Sequence, residues 1–167
     1  MLKIIDNFLP EEQFNQIKKI LSGPCFPWYL QKSVTFIDKP KNNHWYFTHL
    51  FVDEGIKQSI HFDGIKNMFF SNEKIKSDAI YRIKANLYPR EKEFIEHDWH
   101  SDYNFSHKGA IFYVNTNNGY TILENDKKIE SIENRMLFFD ASKLHKSTTC
   151  TDKNYRININ FNFMSEE

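Results

Sequence analysis

The chain has 167 residues, enough for one core-forming domain, with 16 Phe, 8 Tyr and 3 Trp against 5 Gly, which excludes a disordered segment. Its 22 basic and 22 acidic residues cancel, so nothing in the bulk charge supports general nucleic-acid binding. Only two cysteines occur, Cys25 and Cys150, which reads as two free thiols in a reducing cytoplasm rather than a disulfide scaffold. Residues 1–10 lack the apolar run of a signal peptide, and no stretch approaches the roughly 18 apolar residues of a membrane span.

In chain order, Leu2 to Ile5 reads as a short strand. Pro10, Glu11 and Glu12 mark a helix start, Phe14, Ile17, Ile20 and Leu21 recur at helical spacing, and Gly23-Pro24 closes the segment. Residues 25–55 are aromatic and irregular, with Pro27, Pro40 and Lys41-Asn42-Asn43 marking turns. A second helix is expected over about Ile56 to Phe70, with Ile56, Ile60, Ile65 and Phe69 on its apolar side.

From residue 79 the period changes to two. Candidate strands are Ala79 to Tyr88, Glu93 to His100, Ala110 to Asn115, Tyr120 to Glu124, Lys128 to Ile132, Met136 to Asp140 and Tyr155 to Phe163. The expectation is one domain over 1–167: a helical part to about 78, then a double-stranded β-helix, or jelly roll, over about 79–163. The fold is thus mainly β with flanking helices.

Two strands carry a sharp split of polarity. Arg156, Asn158, Asn160 and Asn162 alternate with Ile157, Ile159, Phe161 and Phe163. Likewise Arg82, Lys84, Asn86 and Tyr88 alternate with Tyr81, Ile83, Ala85 and Leu87. Each polar face either meets water or turns inward to make a cavity rich in donors.

His100-Ser101-Asp102 places an imidazole and a carboxylate on one side of an extended chain. Alone it is weak, since a chain of this composition yields such a triplet by chance roughly 0.4 times. His145 follows 43 residues after Asp102 and precedes Arg156 by 11. Two imidazoles and one carboxylate on one face of an octahedron leave positions open for Fe(II) and oxygen chemistry, whereas a closed zinc site wants four ligands.

In order and spacing, His100-x-Asp102, His145 and Arg156 resemble the iron(II)/2-oxoglutarate dioxygenases of the prolyl 4-hydroxylase-like type. Asp6-Asn-Phe-Leu-Pro10, Gly119-Tyr-Thr121 and Asn86-Leu-Tyr88 extend the resemblance along nearly the whole chain. It implies Fe(II) on His100, Asp102 and His145, and 2-oxoglutarate as co-substrate with its distal carboxylate on Arg156 and Tyr88. Asn86 or Asn158 would steady the other end. O2 would be consumed, ascorbate would serve as reductant, and a C–H bond of a peptidyl or small amino-acid-like substrate would be hydroxylated with release of succinate and CO2.

Arg156 stands where many hydroxylases of this type carry Lys, and Asn86-x-Tyr88 with Arg156-x-Asn158 also resembles the nucleic-acid dealkylating branch. Oxidative demethylation and a catalytically silent metal- or anion-binding jelly roll are therefore the alternatives. Among the remaining candidates, Arg82 and Lys84 reach either a substrate group or solvent. His97 is read as a strand-face residue behind the site, and His44, His49, His61 and His107 as surface or loop residues. Trp45 to Phe51 is core or a substrate-facing lid.

Overall fold

The computed structural model describes residues 2–33, 44–71 and 75–165. The element order is β1 (Lys3–Ile5), α1 (Glu11–Leu21), β2 (Tyr29–Gln31), β3 (Tyr46–Asp53), β4 (Ile56–Lys57) and α2 (Phe62–Phe70). Then come β5 (Ala79–Pro89), β6 (Lys108–Tyr113), β7 (Tyr120–Leu123), β8 (Lys128–Glu130), β9 (Arg135–Asp140), β10 (His145–Ser147) and β11 (Tyr155–Met164). The large sheet runs β1-β9-β6-β11-β5-β3-β2, with β4 on β3; the small sheet runs β10-β7-β8. All named pairings are antiparallel. This is the jelly roll with flanking helices that the period change predicts.

β5 and β11 form the spine, in register from Arg156 opposite Tyr88 to Asn162 opposite Arg82. Their apolar faces turn toward the helices. Ile83, Ala85, Ile157, Ile159 and Phe161 join Phe14, Ile17, Phe69 and Phe112 in one core, where Phe69 lies 4.8 Å from Phe161 and 4.9 Å from Phe112 between ring centroids. Because the helices cover that face, the polar face of both strands must look at the small sheet. Arg156, Asn158, Asn162 and Asn86 are accordingly buried. A smaller apolar cluster, including Ile111, Leu123, Ile129, Leu137 and Phe139, closes one side of the space between the sheets.

Three expectations need correction. Residues 46–53 are a full strand rather than irregular chain, packed between β2 and β5. Tyr46, Thr48, His49, Phe51 and Val52 on it are buried, so the segment is core, while Trp45 just ahead is half exposed. The second helix starts only at Phe62; Ile56 lies in β4, and Ile56 and Ile60 are solvent-facing. Residues 93–100 form no continuous strand and touch the small sheet through the separate bridges Glu96–Thr148 and His100–His145. The predicted turn at Pro40 to Asn43 lies outside the described residues. Among the described residues no helix is long and apolar enough to cross a membrane.

The amino-terminal segment is fastened by one side chain. Asn134, at φ 58°, accepts from the Leu9 amide and donates to the Leu9 carbonyl, both at 2.9 Å, while its own carbonyl accepts from Phe8. Phe8 and Leu9 are thereby plugged into the core, and Arg135 holds Asp6 through two nitrogens at 2.6 and 3.0 Å. Asn134→Ala strands two buried backbone groups and puts Ala at positive φ, so it should cost about 2–3 kcal/mol in a urea-unfolding measurement. Metal affinity should not change.

Candidate active site

His100 and His145 are brought together by backbone pairing. The His100 amide donates to the His145 carbonyl at 3.0 Å and the His145 amide to the His100 carbonyl at 2.8 Å. A pair that exchanges both bonds presents its side chains on the same face. The ring centroids are 4.6 Å apart. Each Nδ1 lies near a carbonyl two residues earlier, Asp98 at 3.1 Å for His100 and Lys143 at 3.0 Å for His145. With Nδ1–H donating there, both Nε2 atoms keep their lone pairs for an ion.

Asp102 enters from the same side, its amide donating to the Ala141 carbonyl at 3.2 Å. Its Oδ2 is 3.9 Å from His145 Nε2, and one ligand atom from each of the three residues lies within 4.8 Å of the others. The carboxylate is gripped on both oxygens: Arg82 Nη2 donates to Oδ1 at 2.8 Å and Asn162 Nδ2 to Oδ2 at 2.8 Å. Arg82 Nε in turn donates to Asn162 Oδ1 at 3.1 Å. Burial alone would raise the Asp102 pKa. Arg82 first, then His145, the Asn162 hydrogen bond and His100, outweigh it and hold the carboxyl well below the usual range. His100 goes down to about 4, chiefly by burial and then by the neighbouring His145, so its ring is neutral at pH 7.

The three residues suit a divalent ion of the Fe(II) class. His145 Nε2 is a buried polar atom with no hydrogen-bond partner, and it faces a carboxylate held in its ionised form. Two imidazoles plus one carboxylate, with no thiolate near, is the open set of oxygen-activating iron rather than closed zinc.

Arg156 is fully buried. It donates from Nε to Ser131 Oγ at 2.8 Å, from Nη1 to Ser147 Oγ and the Thr148 carbonyl, and from Nη2 to Thr121 Oγ1 at 3.3 Å. Its guanidinium lies 5.5 Å from the Tyr88 ring centre and 5.9 Å from that of Tyr113. Among the described residues no carboxylate pairs with it, and burial pulls its pKa down, offset in part by Tyr113 and Tyr88. Gly119 makes room for this side chain, because a Cβ there would sit 2.7 Å from Arg156 Cδ. That is the physical content of the Gly119-Tyr-Thr121 motif.

One narrow cavity reaches the triad and two of the hydroxyls that Arg156 holds, those of Thr121 and Ser147. Tyr46, Lys84, Asn86, Tyr88, His100, Asp102, Thr121, His145, Ser147, Asn158 and Asn160 line it. Asn86 Nδ2 donates to Asn158 Oδ1 at 2.8 Å, leaving Asn86 Oδ1 and Asn160 Oδ1 buried without partners. Lys84 points into the same space, its ammonium lowered to about 8 by burial first and Arg82 second.

Sequence reasoning did not assign the pairing of Arg82 and Asn162 with Asp102; their place on the polar faces of β5 and β11 was the available signal. Arg82, read as meeting substrate or solvent, gives Nη2 to Asp102 and Nε to Asn162. His44 and His107 are loop residues, as read, but buried ones, whereas His49 is a buried residue of β3 that bonds Pro27 and Ser59.

No family model matches the sequence, and no curated protein matches it. The solved structures do. An oxidoreductase of the 2OG-Fe(II) oxygenase family from Burkholderia pseudomallei superposes with a TM-score of 0.72 at 12% identity, over 97% of this chain and 84% of that one. The chain has the 2-oxoglutarate/Fe(II) oxygenase fold. A Trichoplax adhaerens prolyl hydroxylase, solved with a hypoxia inducible factor peptide fragment, shares this oxygenase fold with a TM-score of 0.64 at 17% identity, over 97% and 83% of the two chains. A Pseudomonas putida prolyl-4-hydroxylase gives 0.59 at 11% identity, over 98% and 92%.

A triad held this way predicts a metal-linked stability. Mn(II) at one hundred times its Kd should raise the unfolding free energy of the wild type by about 2.7 kcal/mol, and that of His145→Ala hardly at all. Thermal shift with and without the ion reads the difference.

Proposed function

We propose that this chain is an Fe(II)- and 2-oxoglutarate-dependent oxygenase that hydroxylates a C–H bond of a peptidyl or small amino-acid-like substrate, releasing succinate and CO2. The observation that carries this reading is a buried guanidinium with no counter-anion among the described residues, facing the same space between the sheets as three convergent ligand side chains. Ser147, which Arg156 holds, lies two residues along β10 from His145. At strand rise that is about 7 Å, the length class of a short dicarboxylate anchored at both ends.

In this reading His100, Asp102 and His145 hold the iron, which when bound supplies the oxidising power drawn from O2 and the keto acid. The protein's own residues do the rest. Arg156 receives the distal carboxylate of 2-oxoglutarate through its charge and its one unengaged N–H, and the Tyr88 hydroxyl donates to the same group. Asn86 and Asn158, already bonded to each other, present amide groups to the opposite end of the co-substrate. Arg82 and Asn162 fix the Asp102 carboxylate so that one oxygen faces the ion. Lys84 stands beside the triad where a polar group of the prime substrate enters. The cavity walls, from Tyr46 to Ile111, keep bulk water from the reacting atoms.

Ascorbate would serve as the reductant for iron held by His100, Asp102 and His145, and a reducing cytoplasm would suit the free thiols Cys25 and Cys150. A peptidyl substrate is supported by the peptide-bound Trichoplax relative of the same fold. The zero net charge weighs against the nucleic-acid demethylase alternative.

Anaerobic addition of Fe(II) and 2-oxoglutarate should give a weak visible charge-transfer band. Arg156→Met should keep the metal but weaken 2-oxoglutarate about a hundredfold or more, since it removes the charge partner of a buried carboxylate. A wild type without the band would favour a silent jelly roll. Succinate formed only with methylated oligonucleotides, and steeply salt-dependent, would favour demethylation.

A further inference from the structure

His97 is the buried titratable group to which the proposed reaction gives no task. It is 2% exposed, and among the described residues neither ring nitrogen has a hydrogen-bond partner. A neutral imidazole always carries one N–H and one lone pair, so such a ring leaves a donor and an acceptor unsatisfied. Native interiors seldom tolerate this unless a ligand or an ordered water completes the site.

The backbone explains where the ring points. The His97 amide donates to the Ser147 carbonyl at 2.9 Å, and Glu96 pairs with Thr148. Glu96 faces outward, accepting from Lys146 and, at 3.1 Å, from the Tyr120 hydroxyl. Alternation along the extended chain then turns His97 inward, to the face that carries His145 and Ser147. There its centroid lies 5.0 Å from that of Tyr88, whose ring also stacks on Tyr46 at 5.3 Å and lies 5.5 Å from the Arg156 guanidinium. Tyr88 and Ser147 line this end of the cavity, and His97 and Arg156 each lie against the Tyr88 ring.

Burial, then Arg156, His44 and His100, lower the His97 pKa to about 3, so the ring adds no second positive charge beside Arg156. What it offers is a neutral N–H. A carboxylate has about four lone-pair directions. Four of the five Arg156 N–H groups are already engaged, so Arg156 fills one direction and the Tyr88 hydroxyl another, which leaves room for a further donor. His44, 5.8 Å from His97 on a further side, has Nε2 at 3.0 Å from Glu91 and an unpartnered Nδ1. It supplies the polar surroundings that a neutral imidazole needs but no carboxylate for His97 itself.

We propose that His97 is a co-substrate-binding residue whose ring N–H donates to the distal carboxylate of 2-oxoglutarate, beside Arg156 and Tyr88. This rests on the oxygenase reading above and adds a donor to its co-substrate pocket.

Anaerobic titration calorimetry on the full chain loaded with Mn(II) tests it with two keto acids. 2-Oxoglutarate has the distal carboxylate; 2-oxobutyrate keeps the same chelating end and lacks it. His97→Phe should weaken 2-oxoglutarate roughly tenfold and leave 2-oxobutyrate within about twofold, the size of a small packing change. His97→Gln, which restores an N–H donor, should recover most of the loss. Equal weakening of both acids would show a structural role and overturn the proposal, and so would no change in either. If His97→Phe does not fold, His97→Met is read against the same two acids. A wild type that binds 2-oxobutyrate and 2-oxoglutarate equally, or neither, would sink the oxygenase reading itself. Loss confined to the variants concerns His97 alone.

Discussion

A positive charge sealed inside the protein, with no carboxylate paired to it among the described residues, governs this structure. Arg156 is at 0% exposure, and its hydrogen bonds go to hydroxyls and a carbonyl. Desolvating a guanidinium costs several kcal/mol even after relaxation, and neutral acceptors return only part of that. The fold tolerates the residue because it is surrounded: Tyr88 and Tyr113 offer ring faces, Thr121 and Ser147 offer oxygens, and Gly119 withdraws its side chain to leave space. Such a cation is poised for an anion, and the cavity beside it leads to the ligand triad.

The triad itself depends on two different devices. The histidines are positioned by backbone, as a pair exchanging both hydrogen bonds between the start of β10 and the irregular segment 93–100. The carboxylate is positioned by side chains, with Arg82 and Asn162 reaching over from the spine of the large sheet. The division has a physical basis. A histidine needs only its ring plane and tautomer set, which one carbonyl at Nδ1 achieves, whereas a carboxylate rotates freely unless both oxygens are engaged. Arg82 also balances the charge of Asp102.

Placement of the helices decides which way this chemistry faces. α1 and α2 cover the apolar side of β5 and β11 and force the polar side inward, where water is scarce and each hydrogen bond is strengthened. The buried bond between Asn86 and Asn158, the Arg82–Asn162–Asp102 group and the Arg156 cluster are consequences of that single choice of face.

How much of this was legible in the sequence follows from the range of each interaction. Alternation along 79–88 and 155–163 is local backbone geometry, so both polar faces, the turn residues between strands and the first helix were readable in order. The spacing of His100, Asp102, His145 and Arg156 nominated the site. Strand 46–53 was hidden because both of its faces are buried, which erases the polar contrast on which period-two reading depends. Ile56 and Ile60 fit a helical stripe but meet solvent, and the backbone there pairs with β3 instead. Residues 93–100 alternate like a strand yet pair only at isolated points.

The sequence by itself determined the order of elements and which side chains share a face, since φ/ψ preferences and side-chain periodicity act over a few residues. Only the tertiary structure decided that those polar faces look inward, that Arg82 meets Asp102, and that His97 joins Tyr88 and Arg156. Those outcomes depend on the register between strands up to 80 residues apart, such as Arg82 opposite Asn162. No local preference encodes that register; it is fixed when the helices choose the face they cover.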